Sequence, residues 1–396
     1  MAQAQVTIND TRDRVRNGHP WIFDSQVLKI QGDPAPGDVV QVLDAKKRPL
    51  GQGYINPKSK ILVRLLTLQA EEKVNRDFIF GRIQRAWNFR QRMGYSGSCR
   101  VVFSEADGLP GLVVDRFFDV QRKIGILSVQ FLTLGMERWK EVVLQALQQI
   151  IAPDGIYLRN DVPIREKEGL ELYKEFVGKP FQTSLVIEEN GLLIAVEVAE
   201  GQKTGHFLDQ AMNHAAMKGI GKGMRVLDCF THTGGFALHA AHYGAKEVEG
   251  IDISTEAIAH ASRNAELNQL RNCSFTVMNV FDHLTAADRA GKQWDVIVLD
   301  PPAFAKSKGA LENAYRGYKE INLRALKCIP KGGFLVTCSC SQHMTPELFR
   351  EMLAEASWDS GKRLREIYYG TQAPDHPILW GVPETHYLKC LVLEVW

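Results

Sequence analysis

Short stretches of alternating apolar and polar residues open the chain. Residues 39–44, 51–55 and 61–66 each read as a strand, separated by Pro34, Pro36, Gly37 and Pro57. A small β-barrel is the pattern this predicts for the first 68 residues. The period then lengthens to that of a helix. Between residues 74 and 93, Phe80, Ile83 and Trp87 fall on one side and Arg82, Arg85 and Arg92 on another. From about 95 to 195 strand and helix signals alternate: strands at 112–115, 125–129, 155–158 and 192–196, with a helix over 136–150. That is an α+β pattern with antiparallel strands.

From residue 221 the rhythm changes to buried-type strands separated by helices. Strands are predicted at 225–228, 247–252, 274–278, 296–300 and 333–337, with helices at 255–268 and 314–329. This order predicts an α/β fold with a doubly wound parallel sheet. In such sheets ligands bind outside the carboxyl ends of the strands. The expected divisions are 1–70 for the barrel, 71–195 for the central α+β domain and 196–396 for the sheet.

Composition narrows the class. The 396 residues are 45% hydrophobic and 24% charged, which excludes a disordered or low-complexity chain. No apolar run reaches the roughly 18 residues that span a bilayer, and the first ten residues lack a signal-peptide core. A cytoplasmic protein with no membrane partner is expected. Seven cysteines without a CxxC pair fit reduced thiols. Net charge is +2, but residues 1–100 hold 17 basic and 9 acidic side chains, leaving the remainder net acidic. Clustered positive charge suits a polyanion such as nucleic acid, the alternative being an ordinary solvated face.

The strand ends carry the candidate chemistry. The first runs into Asp228-Cys229-Phe230-Thr231-His232-Thr233-Gly234-Gly235-Phe236, a glycine-bearing turn before a helix expected from about Phe236. Neither GxGxxG nor GxxxxGK[ST] is present, which disfavours a diphosphate cofactor. Asp252, at the end of the second strand, can accept hydrogen bonds from both hydroxyls of a ribose. Asn279 closes the third, where its amide suits an adenine edge. The fourth ends in Asp300-Pro301-Pro302, a rigid turn that cannot continue the ladder. The fifth ends in Cys338-Ser339-Cys340, two thiols expected on the same side of an extended segment. Each thiol is either a buried small hydrophobe or a nucleophile. His239 and His242 lie three apart on a helix, with no adjacent carboxylate evident in sequence, so no metal site is expected.

Residues 228–236, Gly250-Ile251-Asp252, Asp300-Pro301-Pro302 and Thr337-Cys338-Ser339-Cys340-Ser341 together resemble the class I S-adenosylmethionine-dependent methyltransferases that form 5-methylcytosine in RNA. The likeness is most specific to the bacterial 23S ribosomal RNA large-subunit cytosine-5 methyltransferase family with an N-terminal PUA domain. It extends through Gly18-His19-Pro20-Trp21, Glu105-Ala106-Asp107-Gly108, Lys203-Thr204-Gly205-His206-Phe207-Leu208-Asp209-Gln210 and Asp375-His376-Pro377.

The resemblance implies a Rossmann-like catalytic sheet, a PUA RNA-binding domain, S-adenosyl-L-methionine as cofactor and 23S ribosomal RNA as partner, with no DNA; a homodimer is left open. It implies cofactor contacts from Phe207, Gln210, Asp228, Phe230, Thr231, Thr233, Gly234, Asp252, Ile253, Asn279 and Asp300. Ala211 stands where the family commonly has an arginine. Cytosine C5 is a poor nucleophile, so thiolate addition at C6 must precede methylation. The offset from Gly333 favours Cys340 over Cys338, with Asp300 on the N3 side of the flipped base. Ala303 fills the place of the second cysteine found in many relatives of the wider superfamily. The alternatives are an amino-group or 5-methyluridine RNA methyltransferase, or a non-catalytic RNA-binding factor that retains the fold.

Overall fold

The protein is described from a computed structural model covering residues 3–10, 13–201, 204–304 and 308–396. Two compact units partition the chain. The first comprises residues 1–187, 196–208 and 374–385; the second comprises 188–195, 209–373 and 386–396. Among the described residues no helix is long and apolar enough to cross a membrane.

In the first unit, β1 (Gln5–Ile8), β2 (Trp21–Phe23), β3 (Val27–Gln31), β4 (Val39–Asp44), β5 (Pro49–Ile55) and β6 (Ile61–Thr67) form one sheet in the order β2-β6-β5-β4-β1-β3. Its inward positions, among them Val6, Ile8, Val40, Val42 and Val63, are fully buried, as period-two alternation requires. The helix α1 (Arg76–Arg92) follows, started by Asn75, whose side chain accepts from Phe78 N at 3.0 Å. Next come β7 (Cys99–Phe103), β8 (Leu112–Asp119), β9 (Ile124–Phe131), α2 (Leu134–Arg138), α3 (Lys140–Ile150), β10 (Gly155–Asn160), α4 (Ile164–Lys167) and β11 (Tyr173–Val177). The helix expected over 136–150 is split in two at Trp139. The strands form a sheet ordered β11-β10-β9-β8-β7, antiparallel except between β9 and β10.

Barrel and sheet share a core. Tyr54 of β5 packs in the same buried cluster as Ile79, Val114 and Leu158, and its hydroxyl donates to Pro110 O at 2.6 Å. Several basic residues of the first hundred are likewise internal. Arg90 is fully buried with its guanidinium forked on Asp107 at 2.6 and 2.9 Å, Arg100 forks on Asp115 at 2.7 Å, and Arg64 pairs with Glu105 and Glu168. The acidic partners come from beyond residue 100. Much of the positive excess counted at the N-terminal end is therefore neutralised by folding.

The hairpin β12 (Ser184–Glu189) and β13 (Leu192–Glu197) precedes the second unit's main elements. These are α5 (Ala211–Ala215), β14 (Arg225–Cys229), α6 (Gly235–His242), β15 (Glu247–Asp252), α7 (Thr255–Leu267), β16 (Cys273–Val277), α8 (Val280–Ala290), β17 (Val296–Leu299), α9 (Leu311–Lys327), β18 (Phe334–Ser339), α10 (Pro346–Asp359), β19 (Leu364–Gly370) and β20 (Lys389–Val395). The sheet order is β16-β15-β14-β17-β18-β20-β19, parallel except for β20, which runs antiparallel to both neighbours. Val296, Ile297, Val298 and Leu299 are all fully buried, the continuous apolar run of a strand covered on both faces. Truncating such a residue to alanine costs about 2–5 kcal/mol. The order reverses between β14 and β17, which makes their carboxyl ends the ligand crevice.

Candidate active site

The turn after β14 is built around a buried carboxylate. Asp228 Oδ2 accepts from Thr231 Oγ1 at 2.7 Å and from Ala237 N at 2.9 Å, drawing the loop back onto the strand end. Burial pushes the Asp228 pKa up to about 7, opposed by those hydrogen bonds and reinforced by Asp300. Phe230 and His232 adopt left-handed φ values of 62° and 49°. Such non-glycine conformations cost about 1–3 kcal/mol each and cluster where a loop is held for binding. Gly234 takes φ 92°, and a Cβ on Gly235 would lie 2.6 Å from His214 Nε2. The helix starts at Gly235, one residue earlier than expected. Thr233 is fixed through its carbonyl, which accepts from Asn264 Nδ2 at 3.1 Å.

Asp252 stands at the end of β15, half-buried, and ties this loop to the next. Its Oδ2 accepts from His232 N at 3.0 Å and its Oδ1 from Ser254 N at 2.9 Å. Ile253 beside it is 73% exposed, an apolar side chain left open next to a carboxylate. Asn279 lies two residues past β16 and caps α8: its Oδ1 accepts from Phe281 N at 2.9 Å and Asp282 N at 3.3 Å. The oxygen is thus committed to the helix, and the residue is exposed.

Asp300 follows β17 directly and is linked to the segment before α5. Gln210 Nε2 donates to Asp300 Oδ2 at 2.9 Å, while Gln210 Oε1 accepts from Asn213 Nδ2 at 2.7 Å. Asn213 is joined in turn to Tyr368 and to the Thr371 carbonyl. A relay of two amide side chains therefore orients the carboxylate. Phe304 packs on Tyr318 with ring centroids 4.7 Å apart, and a Cβ on Gly317 would touch it.

The two thiols do not share an environment. β18 extends to Ser339, two residues beyond the expected end, so Cys338 is interior while Cys340 lies past the ladder and is half-exposed. Cys338 is fully buried against Cys390, its register partner on β20, and burial holds its pKa well above the ordinary thiol value. The two thiols thus differ in burial, one within the strand and one just past its end. Around Cys340 the neighbours are polar. Tyr318 OH bonds Ser339 Oγ at 3.1 Å and Ser341 Oγ at 3.0 Å, and Lys389 Nζ donates to the carbonyls of Ser341 and Tyr387 at 2.8 Å. Burial draws the Lys389 pKa down to about 8, opposed by the Cys340 thiol. Lys389 was not legible in sequence as a site residue. It is recognised only once β20 returns antiparallel beside β18.

A second cluster also escaped the sequence. Glu189, His214 and His239 meet in the interior, with His214 Nδ1 2.7 Å and His239 Nε2 3.7 Å from Glu189 Oε1. The absence of a carboxylate beside His239 is thereby corrected, because Glu189 arrives from the β12–β13 hairpin. The groups are satisfied as a hydrogen-bonded network: His239 Nδ1 donates to Gly235 O at 2.7 Å, and Asn190 Nδ2 meets its Nε2 at 3.1 Å. Burial disfavours charge on His214, yet Glu189 keeps its pKa above the ordinary value. Of the remaining candidates, Phe207 is half-buried and belongs to the first unit, and Lys203 lies outside the described residues.

The sheet order, the held glycine turn and the carboxylate at the end of the second strand of the sheet define a class I S-adenosylmethionine-dependent methyltransferase. The donor set fits that cofactor: Asp252 suits a ribose diol, exposed Ile253 an aromatic base, and no phosphate-binding loop is present. The family described as S-adenosylmethionine-dependent methyltransferase matches residues 164–368, and the PUA-like domain matches residues 8–68. A Shewanella amazonensis protein named ribosomal RNA large subunit methyltransferase I is 41% identical over 385 residues, 96% of each chain. An Aeromonas salmonicida protein of the same name is 40% identical over 95% of each chain. The solved structure of a SAM-dependent methyltransferase of Streptococcus mutans shares the fold at TM-score 0.82 and 19% identity, covering 98% of this chain and 99% of its own. The chain belongs to the S-adenosylmethionine-dependent methyltransferase family, in the branch whose members bear the name ribosomal RNA large subunit methyltransferase I.

Proposed function

We propose that the protein methylates C5 of a cytosine in 23S ribosomal RNA through a covalent adduct on Cys340. The large-subunit RNA substrate is carried over from the names of the full-length relatives and is supported by the PUA-like domain. The observation that carries the chemistry is the contrast between the thiols: Cys338 is sealed in the core, whereas Cys340 is half-exposed beside the Lys389 ammonium.

S-adenosylmethionine supplies an electrophilic methyl group when bound. In this reading Asp252 holds its ribose, Ile253 and the Asn279 amide nitrogen meet its adenine, and Phe230, Thr231, Thr233 and Gly234 line its path, with Asp228 holding the loop. Gln210 orients Asp300. The Cys340 thiolate adds to cytosine C6, forming an S–C6 bond and moving electron density to C5. Asp300, as the carboxylic acid, hydrogen-bonds N3 of the flipped base and favours its protonation as C6 is attacked. After methylation, loss of the C5 proton and rupture of the S–C6 bond restore the ring and free the thiolate. With Ala303 in place of a second cysteine, release relies on another base or water.

Amino-group methylation fits less well, because the Phe304 ring is engaged with Tyr318 rather than open for a base to stack on. The functional division proposed is 1–70 for RNA binding, 71–195 as the central α+β domain and 196–396 for catalysis. The test is to methylate large-subunit ribosomal RNA with the purified protein and identify the product nucleoside by mass spectrometry. 5-Methylcytidine is expected; N4-methylcytidine, 5-methyluridine or no methylation contradicts the proposal.

A further inference from the structure

Helix α1 overhangs a cavity of about 520 Å³ in the first unit, within the roughly 300–1,000 Å³ of small-ligand clefts. Arg82, Arg85, Phe89 and Arg92 line one side of it, at the spacing that brings residues onto one helical face. The opposite side is the end of β6 with Leu65 and Leu66, together with Pro377.

The arginines differ from the others of this unit. Arg90 on the same helix is spent on Asp107, and Arg64 on Glu105 and Glu168. Arg82 is half-buried over the Phe78 ring and reaches Glu72 at 3.5 Å. Arg85 and Arg92 are exposed and have no carboxylate within ion-pair distance among the described residues. The acids at the cavity wall cannot serve them, since Glu105 bonds Trp21 Nε1 at 2.8 Å and Asp107 holds Arg90. Burial and the like charge of Arg85 lower the Arg82 pKa against the opposing pull of Glu72, so the uncompensated positive charge of this rim is that of Arg85 and Arg92. Phe89 is half-buried, absent from the core cluster that holds Phe78, Ile79 and Ile83, and lines the cavity, with the Arg90 guanidinium 5.2 Å from its ring centroid.

Two unpaired guanidinium groups flanking an aromatic ring above an apolar-walled hole suit one ligand chemistry. The groups at the rim pair with phosphodiester oxygens, and the ring stacks with a planar base. A fully paired helix presents its bases stacked inward and cannot fill a hole of this kind. We propose that this cavity binds one unstacked nucleotide of the RNA substrate, the base against Phe89 and the adjoining phosphates on Arg85 and Arg92. The inference rests on the substrate being RNA and assigns a second RNA contact, distinct from the target-base site at Cys340.

The test uses the full chain and a fluorescent single-stranded oligoribonucleotide, titrated by anisotropy at several salt concentrations. An Arg85→Gln, Arg92→Gln double variant is expected to bind more weakly, with the slope of log affinity against log salt reduced by about 1.4 for the two lost phosphate contacts. Phe89→Ala is expected to bind roughly 5- to 150-fold more weakly with the slope unchanged. A duplex of the same length is expected to bind more weakly than the single strand. Calorimetric binding of S-adenosylhomocysteine serves as the control for folding and should not change. Wild-type binding matched by both variants overturns the cavity assignment alone, as does equal affinity for duplex and single strand. Failure of the wild type to bind the single strand overturns the RNA reading together with the cavity.

Discussion

Lys389 Nζ donates to the Ser341 carbonyl at 2.8 Å, fastening a buried amine to the segment that carries Cys340. Its register partner is Ser339, so the pairing of β20 with β18 fixes the amine beside the residue after Ser339. A thiolate forms most readily next to a cation. Lys389→Met is expected to slow adduct formation at pH 7 by about tenfold or more and to move the rising limb of the pH–rate profile to higher pH. Lys389→Arg should recover part of the rate, which a purely structural lysine would not explain. The groups bearing on that profile are Cys340, Tyr318 and, through its charge on Lys389, His386. Single-turnover kinetics across pH decide it: an unshifted limb in Lys389→Met removes the role.

Asp228 makes stability fall as pH rises. Its folded pKa of about 7 lies above the ordinary carboxylate value, so between about pH 4 and 7 the folded state holds more protons than the unfolded one. Stability is fully present below the lower value and is lost towards the upper. Asp228→Asn keeps an acceptor for Thr231 Oγ1 and Ala237 N without a charge to bury. Its melting temperature is expected to decline less than that of wild type between pH 5 and 8. Parallel pH profiles for the two proteins would remove the buried-carboxyl account.

Asp252 holds the loop, and in the proposed function it also holds the cofactor's ribose. Asp252→Ala removes the acceptor of His232 N and Ser254 N along with two ribose contacts. Calorimetry with S-adenosylhomocysteine is expected to show affinity lower by at least tenfold, on the scale of one or two hydrogen bonds to a charged group. Affinity equal to wild type would place the ribose elsewhere.

The parallel strands were legible because each is a continuous apolar run ending in a polar residue, as Val296–Leu299 before Asp300 shows. β19 and β20 were not, since nothing local says that Lys389 will lie opposite Ser339; that pairing spans fifty residues and is decided by packing. The same holds for Glu189 and His239, joined across a similar separation. The charge count overstates the exposed positive charge for a related reason: Arg64, Arg90 and Arg100 are part of it, but their partners arrive from later in the chain. Because Tyr54 sits in the core that includes Leu158, removing residues 1–70 would expose that core; point changes at Arg85 and Arg92 are the sounder test of RNA binding.

The central claim is that the sulfur of Cys340 bonds to the substrate base. RNA containing 5-fluorocytosine retains a C5–F bond that cannot be lost as a proton, so the adduct persists and can be mapped by peptide mass spectrometry. The expected result is a crosslink at Cys340 that vanishes in Cys340→Ser and survives Cys338→Ala, with S-adenosylhomocysteine binding intact in both. A crosslink at Cys338, or full methylation by Cys340→Ser, would contradict it.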